Sequence, residues 1–530
     1  MKKFVKNKQL IISLLVLITL VCVLQISVKG ESEVKEDVKT PESIQGKISE
    51  ELKNKVQKAS DSEKISVSVW IKDIDYKTVE ESSVKKLSLT DNNKQSEEYI
   101  SDYIKTTRAT SLYYHKLNNE GFYDEIAENV DVINIDMYSP NLILNVDTDY
   151  LTELSKNEKV VKIDLFANDT KVIETANSIP AITADYTKNL GLTGNGVNIG
   201  ILEYSNDDHA QTVKNIVEDI VPDSNVIMKY AHNKAEDYAM IAELITEGVN
   251  VINYSAGYSA DPGVYTDFAE YIDYIVENYD ITFVKSSGNV MSNNLVTDPG
   301  MAYNGITVGS INENDTSTWT DDILSSFSCY EELGGASKPD FSAPGEGIYG
   351  DKDGTSYSAP HVVGVIAQLM DLNPVLKSYP SAVKSVLATG TWHQTADDYG
   401  NNLWSPYYSN KEGAGVVDAT GSYNVLNNSN FHQAVVNNNQ FSYEGTFYVY
   451  SINSDVRIAL SWLKQDNLSD LDFRIYDPND NLVGYSLSST NNTELIEFNP
   501  RYYRGTYKFV IEGYSLSNST EDICVSWQQK

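Results

Sequence analysis

Apolar residues recur along this chain with three rhythms, and each rhythm marks a different kind of structure. Leu10 to Val28 is an uncharged run preceded by Lys2, Lys3, Lys6 and Lys8, with Val28 and Gly30 placed for cleavage after Gly30. A basic start, an apolar middle and a small residue at the end make a secretory signal. The run is also about long enough to span a bilayer, so an uncleaved anchor is the alternative. Either way the remaining chain is expected outside the cytoplasm, secreted or held at the cell surface. Cys22, after Thr19-Leu20-Val21, lacks the small neighbour of a lipidation site.

Residues 31 to 62 are polar and rich in Glu and Lys, the texture of a linker or a fraying helix. Ile65 to Ile71 then alternates as a half-buried strand does. A long helix is predicted over roughly Val84 to Asn118, strands over Val130 to Met137 and Leu142 to Val146, a short helix over Tyr150 to Lys156 and a strand over Val160 to Leu165. The order β-α-β-β-α-β is that of a small ferredoxin-like α+β module. From Val197 the rhythm changes to apolar strands separated by amphipathic helices: Val197 to Leu202, Ala210 to Val221, Val226 to Tyr230, Ala235 to Glu247, Val249 to Tyr254, Asp267 to Tyr279 and Ile281 to Lys285. Such alternation predicts an α/β domain, a parallel sheet with flanking helices. From Asn430 the chain is aromatic, alternating and rich in Asn and Ser. Strands are predicted at Gly445 to Ser451, Val456 to Trp462, Leu471 to Tyr476, Thr493 to Phe498, Gly505 to Ile511 and Ile523 to Trp527. That is an antiparallel sandwich or jelly roll. The expected division is 1–30, 31–172, 173–428 and 429–530.

Composition adds exclusions. A length of 530 residues suits several domains, and 41% hydrophobic residues suffice for their cores. A formal net charge of −34 argues against nucleic acid and anionic membrane surfaces as partners, leaving an uncleaved signal anchor as the membrane attachment to consider. The three cysteines are too few for a disulfide framework, and none has metal-ligand spacing.

The candidate chemistry centres on Gly354-Thr355-Ser356-Tyr357-Ser358-Ala359-Pro360-His361-Val362-Val363-Gly364. Gly354 permits a tight turn, and the apolar run after Val362 reads as a buried helix, so Ser356 falls in a first helical turn where the dipole favours developing negative charge. The stretch resembles the nucleophile motif of the subtilisin-like serine proteases, departing from it at Ser358 and Val363. A serine nucleophile needs a base and an orienting acid. His209, in Asp207-Asp208-His209-Ala210-Gln211-Thr212-Val213, lies where the family carries its catalytic histidine, although Ala210, Gln211, Thr212, Lys214 and Asn215 differ from the family pattern. Of six histidines, His115 and His432 lie outside the α/β segment, His361 reads as packing, and His232 and His393 match no motif. Ile199-Gly200-Ile201-Leu202-Glu203 ends in Glu where the family has Asp, which moves the carboxylate by about an ångström. Misplacement on that scale can cost ~100-fold in rate unless the backbone compensates. Asp207 and Asp208 are competing acids but, as immediate neighbours, are poorly placed to hold the ring.

Ser286-Ser287-Gly288-Asn289 resembles the family's oxyanion motif, which assigns Asn289 the oxyanion contact. Asn253-Tyr254-Ser255-Ala256-Gly257 resembles the segment whose backbone pairs with extended substrate, implicating Ser255, Ala256 and Gly257. Ser326-Phe327-Ser328 and Lys338 to Gly345 resemble further family segments. The resemblance implies a secreted endopeptidase made as a zymogen and acting on protein or peptide substrates. The module at 31–172 would be its own propeptide inhibitor, cut between about Phe166 and Ser178. No cofactor is required by this reading. Asp470 and Asp472 are weak candidates for a structural calcium ion. Glu203, the short loop to His209 and the eroded histidine motif also fit a pseudoprotease that binds peptides or partners, and a hydrolase of other esters or amides is a third reading.

Overall fold

The computed structural model describes residues 47–58, 64–87, 97–136, 139–166, 172–173, 181–289, 294–314, 319–331, 336–349, 352–391, 395, 408–437 and 442–530. The signal segment, His393 and most of the expected propeptide cleavage region lie outside these residues.

The first unit contains α1 (Glu50–Lys58), β1 (Lys64–Ile71), α2 (Tyr76–Leu87), α3 (Glu97–Ile126), β2 (Val130–Ile135), β3 (Asn141–Asp147), α4 (Thr148–Lys156) and β4 (Val160–Leu165). Its strands form an antiparallel sheet in the order β2-β3-β1-β4. Alternation puts Val67 and Val69 of β1 beside Leu142, Leu144 and Val146 of β3 in one core, closed by Leu52, Phe122, Ile126, Leu151 and Leu154. Two details differ from the sequence reading. The expected linker contains α1, anchored by fully buried Leu52, and the single long helix resolves into α2 and α3. The periodicity found one helical stretch but not its true ends, because the boundary residues carry no Gly or Pro to mark them.

After a two-residue strand β5 (Val172–Ile173) and α5 (Ala184–Asn189) comes the α/β unit. It comprises β6 (Asn198–Glu203), α6 (Asp208–Ile220), β7 (Asn225–Tyr230), α7 (Lys234–Thr246), β8 (Val251–Tyr254), β9 (Ala256–Gly257), α8 (Asp267–Tyr279), β10 (Thr282–Ser286), β11 (Ile306–Asn312), β12 (Ile323–Leu324), β13 (Phe341–Pro344), α9 (Thr355–Leu372), α10 (Pro380–Gly390) and α11 (Ala419–Asn427). The sheet runs β12-β11-β10-β8-β6-β7, with β13 also on β11; all pairs are parallel except β11 with β12. Side chains of β6 alternate between two cores. Ile199 and Ile201 join α6, α9 and α10, whereas Leu202 joins α7 and α8. On that second face Gly200 lets α7 lie close, since a Cβ there would stand 2.8 Å from Leu244.

The last unit has two antiparallel four-stranded sheets. One is β14 (Phe431–Asn437), β21 (Thr520–Gln529), β16 (Val456–Trp462) and β19 (Thr493–Phe498); the other is β15 (Ser442–Val449), β20 (Gly505–Ser515), β17 (Asp470–Tyr476) and β18 (Leu482–Ser486). Apolar side chains from both sheets, including Trp462, Phe473, Ile496 and Phe509, share one core. β14 and β18 were not predicted; β18, Leu-Val-Gly-Tyr-Ser, is short, carries a mid-strand glycine and is only half-buried. Every residue of β16 is buried because its second face lies on α10. There Arg457 reaches Ala388 O at 2.8 Å and Ser526 Oγ donates to Ser385 O at 2.7 Å.

Candidate active site

The carboxyl ends of β6, β8 and β10 converge on one edge of the sheet, where α/β folds gather their reactive groups. Glu203 ends β6 and is almost fully buried. A short loop then reaches α6, whose N-cap Asp207 accepts from Ala210 N at 3.0 Å. That cap fixes the first turn and points His209 back at the strand. Glu203 Oε2 lies 3.1 Å from His209 Nδ1, while Oε1 is buried and has no hydrogen-bond partner. The longer glutamate arm therefore spans the gap left by the short loop. Asp207 is committed to the cap, and Asp208 to Lys352. With Nδ1 facing a carboxylate, Nε2 is the ring nitrogen turned toward chemistry.

Ser356 is the second residue of α9 and is fully buried. The turn before it needs Gly354, whose φ of 147° is a region L side chains rarely adopt. Ser356 Oγ donates to Ser255 O at 3.2 Å, and Ser255 Oγ donates to Ser356 O at 2.5 Å, so nucleophile and substrate-strand candidates are clasped together. The His209 ring lies 5.1 Å from that of Tyr357, the residue after the serine. Burial packs α9 against α6: a Cβ on Gly364 would stand 2.7 Å from Ile220.

Asn289 follows β10. Its Oδ1 accepts from Thr355 N at 2.8 Å and from Thr355 Oγ1 at 2.9 Å, which fixes the amide plane and makes Nδ2 the donor end. Gly288 N in turn donates to Thr355 Oγ1 at 3.0 Å. Thr355 thus ties the oxyanion candidate to the nucleophile's own helix, a role the sequence reading did not assign although the residue stands directly before Ser356. His361 is buried and bonds Tyr357 O through Nδ1 at 2.6 Å; burial pushes its pKa down to about 4, so it packs as a neutral ring.

β5 pairs antiparallel with β9, Val172 opposite Gly257 and Ile173 opposite Ala256. The chain's own segment occupies the edge read as the substrate strand.

Asp470 and Asp472 lie near one another on β17, and burial together with the Asp472 charge raises the pKa of Asp470. Asp472 is held by Arg474 at 2.8 Å, and among the described residues no group of three His, Cys, Asp or Glu side chains could hold a metal ion.

A serine clasped at a helix N-terminus, a histidine backed by a carboxylate and a fixed amide gather at the carboxyl edge of a parallel sheet, an arrangement of the kind that serine hydrolases use. Residues 210–415 match the family described as the Subtilase family. Asn289 and Ser356 fall inside the match; Glu203 and His209 lie just before it. Serine protease AprX of Bacillus subtilis (strain 168) is 31% identical over 150 residues, covering 24% of this chain and 31% of that protein. Subtilisin-like protease 1 of Pseudogymnoascus destructans is 31% identical over 122 residues, 23% of this chain and 30% of the relative. The chain thus spans less than a third of the length of these relatives. Fervidolysin from Fervidobacterium pennivorans aligns over 82% of this chain and 69% of its own, at 13% identity and a TM-score of 0.43.

Proposed function

We propose that the protein is a serine endopeptidase, exported and made as a zymogen. The contact between Glu203 Oε2 and His209 Nδ1 carries this reading, because it supplies the oriented base that Ser356 requires. In the proposed reaction Ser356 Oγ attacks the peptide carbonyl as its proton passes to His209 Nε2. Glu203 stabilises the imidazolium, and Asn289 Nδ2 donates to the oxyanion. His209 then protonates the departing amine, leaving an acyl-enzyme on Ser356 that water hydrolyses with the same histidine as base.

The zymogen reading is supported by the pairing of β5 with β9, which lays the chain's own segment where substrate would pair. It is supported also by the four-stranded α+β unit upstream, the position and topology of a ferredoxin-like propeptide. That unit rests on α8: Lys162 Nζ lies 2.7 Å from Glu270, and Trp70 joins the core beneath α7 and α8. The basic and apolar leader supports export. The two C-terminal sheets support a β-sandwich accessory domain.

Mass spectrometry of the exported protein beside Ser356→Ala tests the reading. Cleavage between about Phe166 and Ser178 in the wild type alone is expected. Uncut protein that a fluorophosphonate probe does not label at Ser356 refutes catalysis and leaves the binding-module alternative, which no contact described above favours.

A further inference from the structure

Tyr357, the residue after the nucleophile, gives the base a partner on its ring face. It is the third residue of α9 and is 2% exposed. Both of its ends are held. Its carbonyl accepts from His361 Nδ1 at 2.6 Å, and its hydroxyl meets the Thr212 side chain on α6. Thr212 is itself fixed, since its Oγ1 donates to Asp208 O at 2.7 Å and accepts from Lys352 Nζ at 3.0 Å. Between these two anchors the Tyr357 ring lies against the His209 ring, with centroids 5.1 Å apart and planes 35° from parallel. The imidazole is 9% exposed, so little water competes for that contact.

Rings at that tilt are closer to stacked than to edge-on. An aromatic face attracts a cation within about 6 Å of its centroid, more strongly where water is excluded. His209 becomes a cation as it takes the Ser356 proton, so this attraction grows on the way to the transition state and lowers the barrier. Burial and the Asp208 charge hold the Tyr357 phenol protonated, its pKa raised above the ordinary value, so the ring meets the imidazole as a neutral face. Glu203 of β6 faces Nδ1, Asp207 and Asp208 stand in the first turn of α6, Lys352 before α9 is bound to Asp208, and Tyr230 of β7 lies near Glu203 and Asp207. The carboxylates favour the same cation. The Tyr357 ring adds to them without taking a ring nitrogen, which leaves Nε2 for the serine.

We propose that Tyr357 is a positioning residue for the reaction, its ring setting the tilt of His209 and stabilising the imidazolium that forms as Ser356 attacks. The proposal rests on the endopeptidase reading above. Tyr357 acts through His209 and not on the substrate.

The test follows the rate at which a fluorophosphonate labels Ser356 of the exported protein as the pH is varied. Labelling needs His209 neutral as the base, so the acid limb of the profile reports its protonation. Tyr357→Met removes the ring at similar length. Its plateau rate should fall at least about threefold, and its acid limb should move to lower pH by about half a unit, because the cation has lost a partner. Tyr357→Phe should restore the limb. Phenylalanine and its mono-, di- and trifluorinated analogues placed at position 357 drain charge from the ring face with little change in shape, so a folding defect in Tyr357→Met does not decide the matter. Across that series the limb should step to lower pH. A limb that stays in place under fluorination overturns the proposal, as does Tyr357→Phe behaving like Tyr357→Met, which would assign the effect to the hydroxyl and Thr212; both outcomes leave the peptidase reading intact. A wild type that neither takes the label at Ser356 nor hydrolyses casein overturns both.

Discussion

Glu203 and His209 meet because a longer acid is matched to a shorter loop. The carboxylate touches Nδ1 at 3.1 Å although only five residues separate the two positions in sequence. Shortening the arm by Glu203→Asp should withdraw the carboxylate by about an ångström and lower kcat by up to ~100-fold. Glu203→Gln keeps the length but loses the charge that orients and stabilises the imidazolium, so a fall of about 10³–10⁴ in kcat with little change in KM is expected. An aspartate variant as active as the wild type would refute the fit of arm to loop. Asn289→Ala should cost about 10²–10³ in kcat, read from the same steady-state series. Ser356 and Asn289 were singled out in the sequence by resemblance to family motifs, and the structure brings their two segments together through Thr355. Thr355 was missed because its hydroxyl acts on Gly288 and Asn289, more than sixty positions away.

At the level of elements, the parallel order of strands followed from their alternation with helices, and Asp267–Tyr279 was found to the residue; in the structure Thr266 caps it, accepting from Ala269 N at 3.2 Å. What the pattern could not supply was the docking of one element on another. His115 of α3 is the example: buried, its Nε2 lies 3.1 Å from Tyr76 Oη and 3.3 Å from Tyr274 Oη on α8. Burial pushes the His115 pKa from 6.5 down to about 3. Between those values the docked form binds fewer protons than an opened form with a solvated ring. Docking is therefore at full strength above pH 6.5 and weakens as the pH falls through that window. The limiting slope is about 1.4 kcal/mol per pH unit. Asp73, 3.6 Å from Nδ1 with its own pKa raised by burial, works in the opposite direction at the acid end and makes the slope shallower. Hydrogen exchange of α3 and α8 in the Ser356→Ala protein should show protection falling from pH 6.5 to 4. A His115→Asn variant should lose most of that dependence; an unchanged slope would show that another group carries the proton.

Across the whole molecule, the two later units are joined by buried polar contacts, which sequence periodicity cannot reveal because each partner reads as an ordinary strand or helix residue. Arg457 is the centre of this junction. It lies in the interior of β16, yet its guanidinium bonds Ala388 O at 2.8 Å, Thr391 Oγ1 at 3.0 Å and Ala414 O, and pairs with Glu497 at 2.9 Å. Three of these partners belong to the α/β unit, so the arginine closes the carboxyl end of α10 as well as the sandwich. Ser385 and Thr389 add bonds from α10 to Ser526, at 2.7 Å and 3.1 Å. Arg457→Ala should leave these carbonyls and Glu497 without their donor, and removing one partner of a buried ion pair typically costs about 3–5 kcal/mol. Because the loss falls on both sides of the junction, the sandwich and the α/β unit should cease to unfold together. Calorimetry of the wild type should give one transition for this pair of units, and the variant two, the lower belonging to β14–β21. A single transition shifted downward in the variant would mean that the apolar contacts of α10 with β16 and β21 couple the units without the arginine.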